Sequence, residues 1–145
     1  MILLDTNVVS ELMRPEPSAR VVGWFDVQDA MALHLSAVSE AELRAGVAVL
    51  PPGRRRDGLL AAVDAMIEQD FSGRLLPFDS LAARSYAGIY AARRAAGRPI
   101  PEADCQIAAI AASRGLAVAT RNIADFAGCG VTVIDPWQPL TPAAP

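Results

Sequence analysis

The 145-residue chain contains no lysine; all 13 of its basic residues are arginines. That absence disfavours enzymes built on a lysine Schiff base, Walker-type nucleotide binders and phospho-aspartate proteins that rely on a lysine. Histidine is almost as scarce. His34 is the only one, so a two-histidine acid–base ribonuclease mechanism is impossible within one chain. Its place in the apolar run Ala32-Leu33-His34-Leu35 marks it as a core or edge residue. The two cysteines, Cys105 and Cys129, lie in different segments without metal-ligand spacing. Neither a disulfide framework nor a zinc site is indicated, and both read as half-buried thiols of a reducing compartment. No apolar stretch reaches membrane-spanning length without interruption. The first apolar run, Ile2-Leu3-Leu4, is short and lacks the basic flank and long apolar segment of a signal peptide. A cytoplasmic protein with no membrane association is expected.

What is present describes a packed globular chain. Apolar residues make up 52% and charged residues 20%, a balance that supports a real core and excludes disorder. Strand-like and helical segments alternate throughout, which is the pattern of an α/β fold. The expected organisation is one domain over residues 1–138 and a frayed proline-rich tail over 139–145. The net charge of −3 does not advertise a nucleic-acid binder. The arginine groups Arg54-Arg55-Arg56 and Arg93, Arg94 and Arg98 read as solvated faces.

Strands are expected at Ile2 to Asp5, Leu33 to Ser36, Arg74 to Phe78, Leu116 to Ala119 and Val131 to Ile134. Helices are expected at Asn7 to Met13, Val21 to Val27, Leu59 to Gln69 and from a cap at Asp79 towards Gly97. Ser39-Glu40-Ala41-Glu42 has the form of a capping box opening a helix through about Leu50. Glu102 to Ser113 is alanine-rich and apolar on most sides, as a helix buried mid-fold would be, with Gly115 ending it.

Four acids stand at equivalent places in this pattern: Asp5 after the first strand, Glu42 and Asp104 in the first turns of expected helices, and Asp125 after a later strand and the Thr120-Arg121-Asn122 turn. In a parallel α/β sheet, strand ends and the starts of the following helices share one edge. Each acid singly has a structural explanation as a cap or a favourable charge at a helix start. Asp79 illustrates a plain cap, with no polar company. Asp5, by contrast, is followed by Thr6 and Asn7, and Asp125 is preceded by Thr120 and Asn122, groups suited to orienting carboxylates or gripping a phosphate. Four converging carboxylates repel one another unless a hard divalent cation sits among them. The pattern points to metal-assisted hydrolysis of a phosphodiester.

Asp5-Thr6-Asn7 with Ser10-Glu11-Leu12 resembles the opening of PIN-domain ribonucleases of the VapC/FitB toxin type. Ser36 to Ser39 with Ala41-Glu42-Leu43, Pro101 to Asp104 before Ile107 to Ala111, and Thr120 to Asn122 with Asp125-Phe126 are similar to that family's later motifs, followed by Gly130-Val131 and Pro136-Trp137. The resemblance runs in order along nearly the whole chain. It implies a three-layer α/β/α sandwich with a central parallel sheet of four to five strands. It also implies an endoribonuclease using Mg²⁺ or Mn²⁺, with Asp5, Glu42, Asp104 and Asp125 as metal-binding catalytic acids and Thr6, Asn7, Thr120 and Asn122 in support. RNA products with 5′-phosphate and 3′-hydroxyl ends are implied, as is a cognate antitoxin that could carry the toxin into a larger assembly on DNA. Asp135, in Ile134-Asp135-Pro136-Trp137, stands where Asn is more usual.

Two rivals are weighed against this reading. A haloacid-dehalogenase-like phosphatase needs a second Asp two residues after the first, where this chain has Asn7, and a lysine. A non-catalytic PIN-like module binding protein or RNA would lack one of the four acids, and none is missing. Trp24, Phe25, Tyr86 and Tyr90 lie in helices with more apolar surface than a small monomer buries, so a homodimer and a groove for an apolar antitoxin segment are expected.

Overall fold

A computed structural model describes residues 1–139. From Leu140 onward the tail expected to fray lies outside the described residues. Among the described residues, five strands form one sheet: β1 (Ile2–Leu4), β2 (Leu33–Ser36), β3 (Leu75–Leu76), β4 (Ala117–Ala119) and β5 (Val133–Ile134). Their order is β3-β2-β1-β4-β5 and every pairing is parallel. The helices are α1 (Thr6–Leu12), α2 (Ala19–Asp26), α3 (Ala37–Ala48), α4 (Arg54–Ala65), α5 (Ser80–Ala95), α6 (Glu102–Arg114) and the short α7 (Ile123–Phe126).

The two-residue period of the strands sorts their side chains onto two cores. Leu3 and Val118 face α5 and α6, where Ile107, Ile110 and Phe126 are wholly buried. Leu4, Leu33, Leu35 and Ala119 face the other way, onto Val8, Val21, Trp24 and Val63. The result is the expected three-layer α/β/α sandwich. α6 lies between sheet and α5, which is why its apolar residues fail to form a single stripe. It ends in Gly115 at φ 67, a left-handed cap that a side chain would strain.

Local readings depart from the structure in instructive ways. The cap of α3 is Ser36, whose Oγ accepts from the Ser39 N–H at 3.0 Å, so Ser39 lies inside the helix and no capping box exists. β3 shrinks to Leu75–Leu76, the residues that find partners in Leu35 and Ser36. The strand expected from Val131 begins at Val133. α4 starts at Arg54, five residues earlier than its apolar period suggests, and closes in a π-helical stretch over Met66–Asp70. Cys105 and Cys129 are buried, not half-buried. Trp24 belongs to the core, whereas Tyr90 is exposed and stacks on Tyr86 with centroids 6.1 Å apart.

Among the described residues no helix is long and apolar enough to cross a membrane.

Candidate active site

The chain leaves β1 for β2 and β3 on one side and returns to β4 on the other, so a switch point lies beside β1. Crevices at the carboxyl ends of strands form there. Asp5 is the first residue beyond β1 and Thr120 the first beyond β4, and the Asp5 N–H donates to the Ala119 carbonyl at 2.9 Å. A cleft of about 500 Å³ opens at this edge, lined by Asp5, Thr6, Asn7, Glu42, Asp104 and Asn122 among others.

Asp5 is only 3% exposed and is gripped on both oxygens. Oδ1 accepts from the Thr6 N–H at 2.7 Å; Oδ2 accepts from the Thr120 hydroxyl at 2.7 Å and Asn7 Nδ2 at 3.1 Å. Burial pushes this carboxyl above its ordinary value, the bonds from Thr120 and Thr6 pull it down, and Glu42 and Asp125 add smaller upward pushes. Glu42, in the second turn of α3, is exposed and receives a 2.7 Å hydrogen bond from the Thr6 hydroxyl, which Ser39 Oγ approaches at 2.9 Å. Asn7 also ties its side chain to the far strand, accepting from the Arg121 N–H at 3.3 Å. Asn122 makes no side-chain cap; its N–H instead donates to Thr120 Oγ1 at 2.9 Å.

Asp104 is different. It projects from the first turn of α6, half-buried, with no donor recorded on its carboxylate among the described residues. Its pKa is pushed up to about 6, first by burial, then by the charges of Asp5, Asp125 and Glu42, and finally by contact with the Asp125 carboxyl. Asp125, in α7, does not line the cleft but meets it through Asp104. Asp104 and Asp5 thus each feel the charges of Glu42 and Asp125. Among the described residues no three of these acids close into a ready-made cation cage. The open arrangement of hard oxygens fits Mg²⁺ or Mn²⁺, which keep several waters, better than an ion that demands a full protein cage.

Two buried residues that the sequence reading passed over hold this edge together. Arg93, read as part of a solvated face, is 6% exposed. Its Nε donates to the Arg98 carbonyl at 2.6 Å, and Nη1 to the carbonyls of Asp125 at 2.6 Å and Ala127 at 2.9 Å. It braces the segment that carries Asp125. The signal was its phase: Ala82, Ile89 and Arg93 share the buried stripe of α5. Glu11, likewise buried, accepts from the Ser18 N–H at 3.0 Å and pairs with Arg14 at 3.1 Å, holding the turn between α1 and α2 against the cleft.

A family model, "PIN domain", matches residues 2–127. The chain belongs to the PIN domain family. Among its relatives, the "VapC ribonuclease Y4jK" of Sinorhizobium fredii is 44% identical over 139 residues, 96% of this chain and 99% of that one. "Toxin FitB" of Neisseria gonorrhoeae is 44% identical over 138 residues, covering 95% and 99%. A solved structure, "Structure of FitAB bound to IR36 DNA fragment", superposes with a TM-score of 0.92 at 42% identity, covering 97% of this PIN chain and 99% of that chain. The fold expected from the motifs is therefore the fold of the family they pointed to.

Proposed function

We propose that this PIN protein is the toxin of a type II toxin–antitoxin pair and a divalent-metal-dependent endoribonuclease of the cytoplasm. One observation carries the proposal: Asp104 feels the charges of three other carboxylates, and among the described residues no cation is paired to it. An uncompensated acidic cluster at a switch-point cleft is costly to the apo protein and suited to a metal ion. The kinship with a chain named a ribonuclease and another named a toxin supports the same reading.

Asp5 and Asp104 would hold Mg²⁺ or Mn²⁺ directly, with Glu42 and Asp125 as direct or water-linked partners. The ion would polarise the scissile phosphate and lower the pKa of an attacking water. The protein's own part is positioning. Thr120, Asn7 and the Thr6 N–H fix Asp5 so that one carboxylate geometry presents itself to the cleft. Thr6 links Glu42 to the same turn, tying the start of α1 to α3 at the site. No side-chain nucleophile is needed, in keeping with the missing lysine and the remote His34.

A cognate antitoxin is the partner we infer. An apolar groove lined by Met13, Leu43, Val47, Leu50 and Leu59 opens beside the acids and shares Thr6 and Glu42 with the cleft. An apolar segment there could present a basic residue to the carboxylates, and a DNA-binding antitoxin would carry the toxin onto DNA, as FitAB is in its solved complex. We further infer a homodimer that covers Leu81 and Tyr90, both exposed on α5; sedimentation as a pure monomer at micromolar concentration would contradict it. The decisive experiment is cleavage of RNA by purified protein with and without Mg²⁺, beside its D104N variant. Metal-dependent cutting by the parent alone is expected. A parent that binds RNA without cutting it would instead make the chain a non-catalytic module.

A further inference from the structure

Arg121 and Trp137 line the same cleft as the carboxylates, and catalysis as described leaves them without a task. Arg121 lies in the turn after β4, its backbone fixed to Asn7 Oδ1. Its guanidinium sits over the indole of Trp137, 5.1 Å from the ring centroid. The indole packs against the core that contains Leu4 and Trp24. Its main chain is held at both ends: the N–H donates to Asp135 Oδ1 at 3.0 Å and the carbonyl accepts from Arg20 at 3.4 Å. The pair is therefore a cation laid on a rigid aromatic face.

Charge bookkeeping around the cleft singles out this arginine. Two arginines line it, and Arg14 is ion-paired with Glu11 at 3.1 Å. Arg121 forms no ion pair among the described residues, although Glu11 feels its charge at longer range. A guanidinium stacked on an indole keeps its N–H edges free for phosphate oxygens. The exposed outer side of the guanidinium, backed by the indole, is left to an unstacked base. Those are the two elements of single-strand recognition, a basic contact to the backbone and an aromatic platform. An RNA chain approaching four carboxylates needs such a counterweight within the same cleft.

We propose that Arg121 and Trp137 form a nucleotide-binding subsite that grips single-stranded RNA next to the scissile phosphate, the guanidinium taking the phosphate and the stacked planes a base. The subsite rests on the ribonuclease reading above. It selects single strands, because the bases of a duplex are already stacked and would gain from the charge alone.

The test uses the full chain and a fluorescent single-stranded oligoribonucleotide. Affinity is read by anisotropy in a D104N background with Mg²⁺, and kinetics in the parent background. R121Q keeps a polar side chain and removes its charge; R121K keeps charge and loses the plane; W137L keeps an apolar side chain and loses the aromatic face. R121Q should weaken binding on the order of tenfold and reduce the salt slope of log affinity by about 0.7. R121K should restore that slope without restoring affinity. W137L should weaken binding several-fold at an unchanged slope. In kinetics the losses should fall on KM more than on kcat, and duplex RNA should respond less. Because Arg121 is exposed, R121Q carries the test even if W137L fails to fold. R121Q affinity within twofold of its background, with the parent still cutting RNA, would overturn the subsite and leave the ribonuclease standing; variants that lose only a peptide partner would overturn it equally. A parent that neither binds nor cuts RNA would overturn both.

Discussion

The starts of α5 and α6 present the same chemical group in opposite circumstances. Asp79 caps α5, accepting from the Ala82 N–H at 3.0 Å and pairing with Arg114 at 2.7 Å, and its pKa is lowered by that hydrogen bond and that arginine. Asp104 stands one helix away, in the first turn of α6, and its pKa is raised by burial and by like charges. The first acid is satisfied by its surroundings and the second is frustrated by them. Position at a helix start does not separate a cap from a site residue; the company of cations or of other acids does. The sequence reading took Asp79 as an acid without polar company, and Arg114, arriving from the far end of α6, corrects that.

The sharpest way to break the comparison is to neutralise each acid. D104N and D5N should each reduce Mg²⁺-dependent RNA cleavage by on the order of a hundredfold or more, with E42Q and D125N less severe, while D79N cuts RNA near the parent rate. Equal activity in D104N and the parent would end the metal-site reading. A second effect, on the order of tenfold in activity, is expected for R93M. It strands the carbonyls of Asp125 and Ala127 in a buried setting, at roughly 1–3 kcal/mol of stability for each unsatisfied group. R93K should recover part of the activity. If R93M melts lower but cleaves at the parent rate, Arg93 supports the fold and has no part in placing Asp125.

Stability against pH should carry opposite signs at the two helix starts. The folded pKa of Asp104, about 6, exceeds its ordinary value of 3.8, so ionisation destabilises the metal-free protein above pH 6 and protonation relieves that cost as pH falls from 6 towards 3.8. Discounted for partial exposure, the relief is on the order of 1–2 kcal/mol. Calorimetry in EDTA should show it in the parent and not in D104N, and D104N should melt higher than the parent at pH 7.5. Saturating Mg²⁺ should favour the parent, with about 2.7 kcal/mol gained at a hundred times its dissociation constant. Asp79 behaves in reverse: its lowered pKa lends stability above 3.8 that is lost as pH falls through the folded value. The smallest effect is therefore D79N at neutral pH, a slight fall in Tm unaltered by Mg²⁺. A D79N melt that responds to metal as D104N does would erase the distinction.

Much of this arrangement was legible before any coordinates. The alternation of strand-like and helical segments placed a strand at Leu33 to Ser36, and Gly115 announced the end of α6, where it takes the left-handed conformation. All four acids were found because strand ends and helix starts share one edge of a parallel sheet, a rule of topology and not of local propensity. The misses have a common cause in side chains that local pattern leaves ambiguous. Arg54-Arg55-Arg56 hid the start of α4, since no apolar residue marks its first turn. Ser36 and Ser39 are both competent caps, and the pairing of Ser36 with Leu76 of β3, which ends the strand there, decides for Ser36. Arg93 looked solvated because a buried guanidinium is justified only by carbonyls more than thirty residues away, at Asp125 and Ala127.

Because β1 precedes the other four strands of the sheet in sequence and yet lies in its middle, the order of synthesis matters. The hydroxyl that orients Asp5, on Thr120, follows it 115 residues later. A nascent chain without β4 has neither the second neighbour of β1 nor Thr120, Asp125 and the turn that Arg93 braces. Chains fold as their segments emerge, and parallel pairings between distant segments close last. The cleft therefore cannot be assembled until β4 and the Thr120 turn have been made and paired with β1, so for most of its synthesis the chain keeps its acids apart.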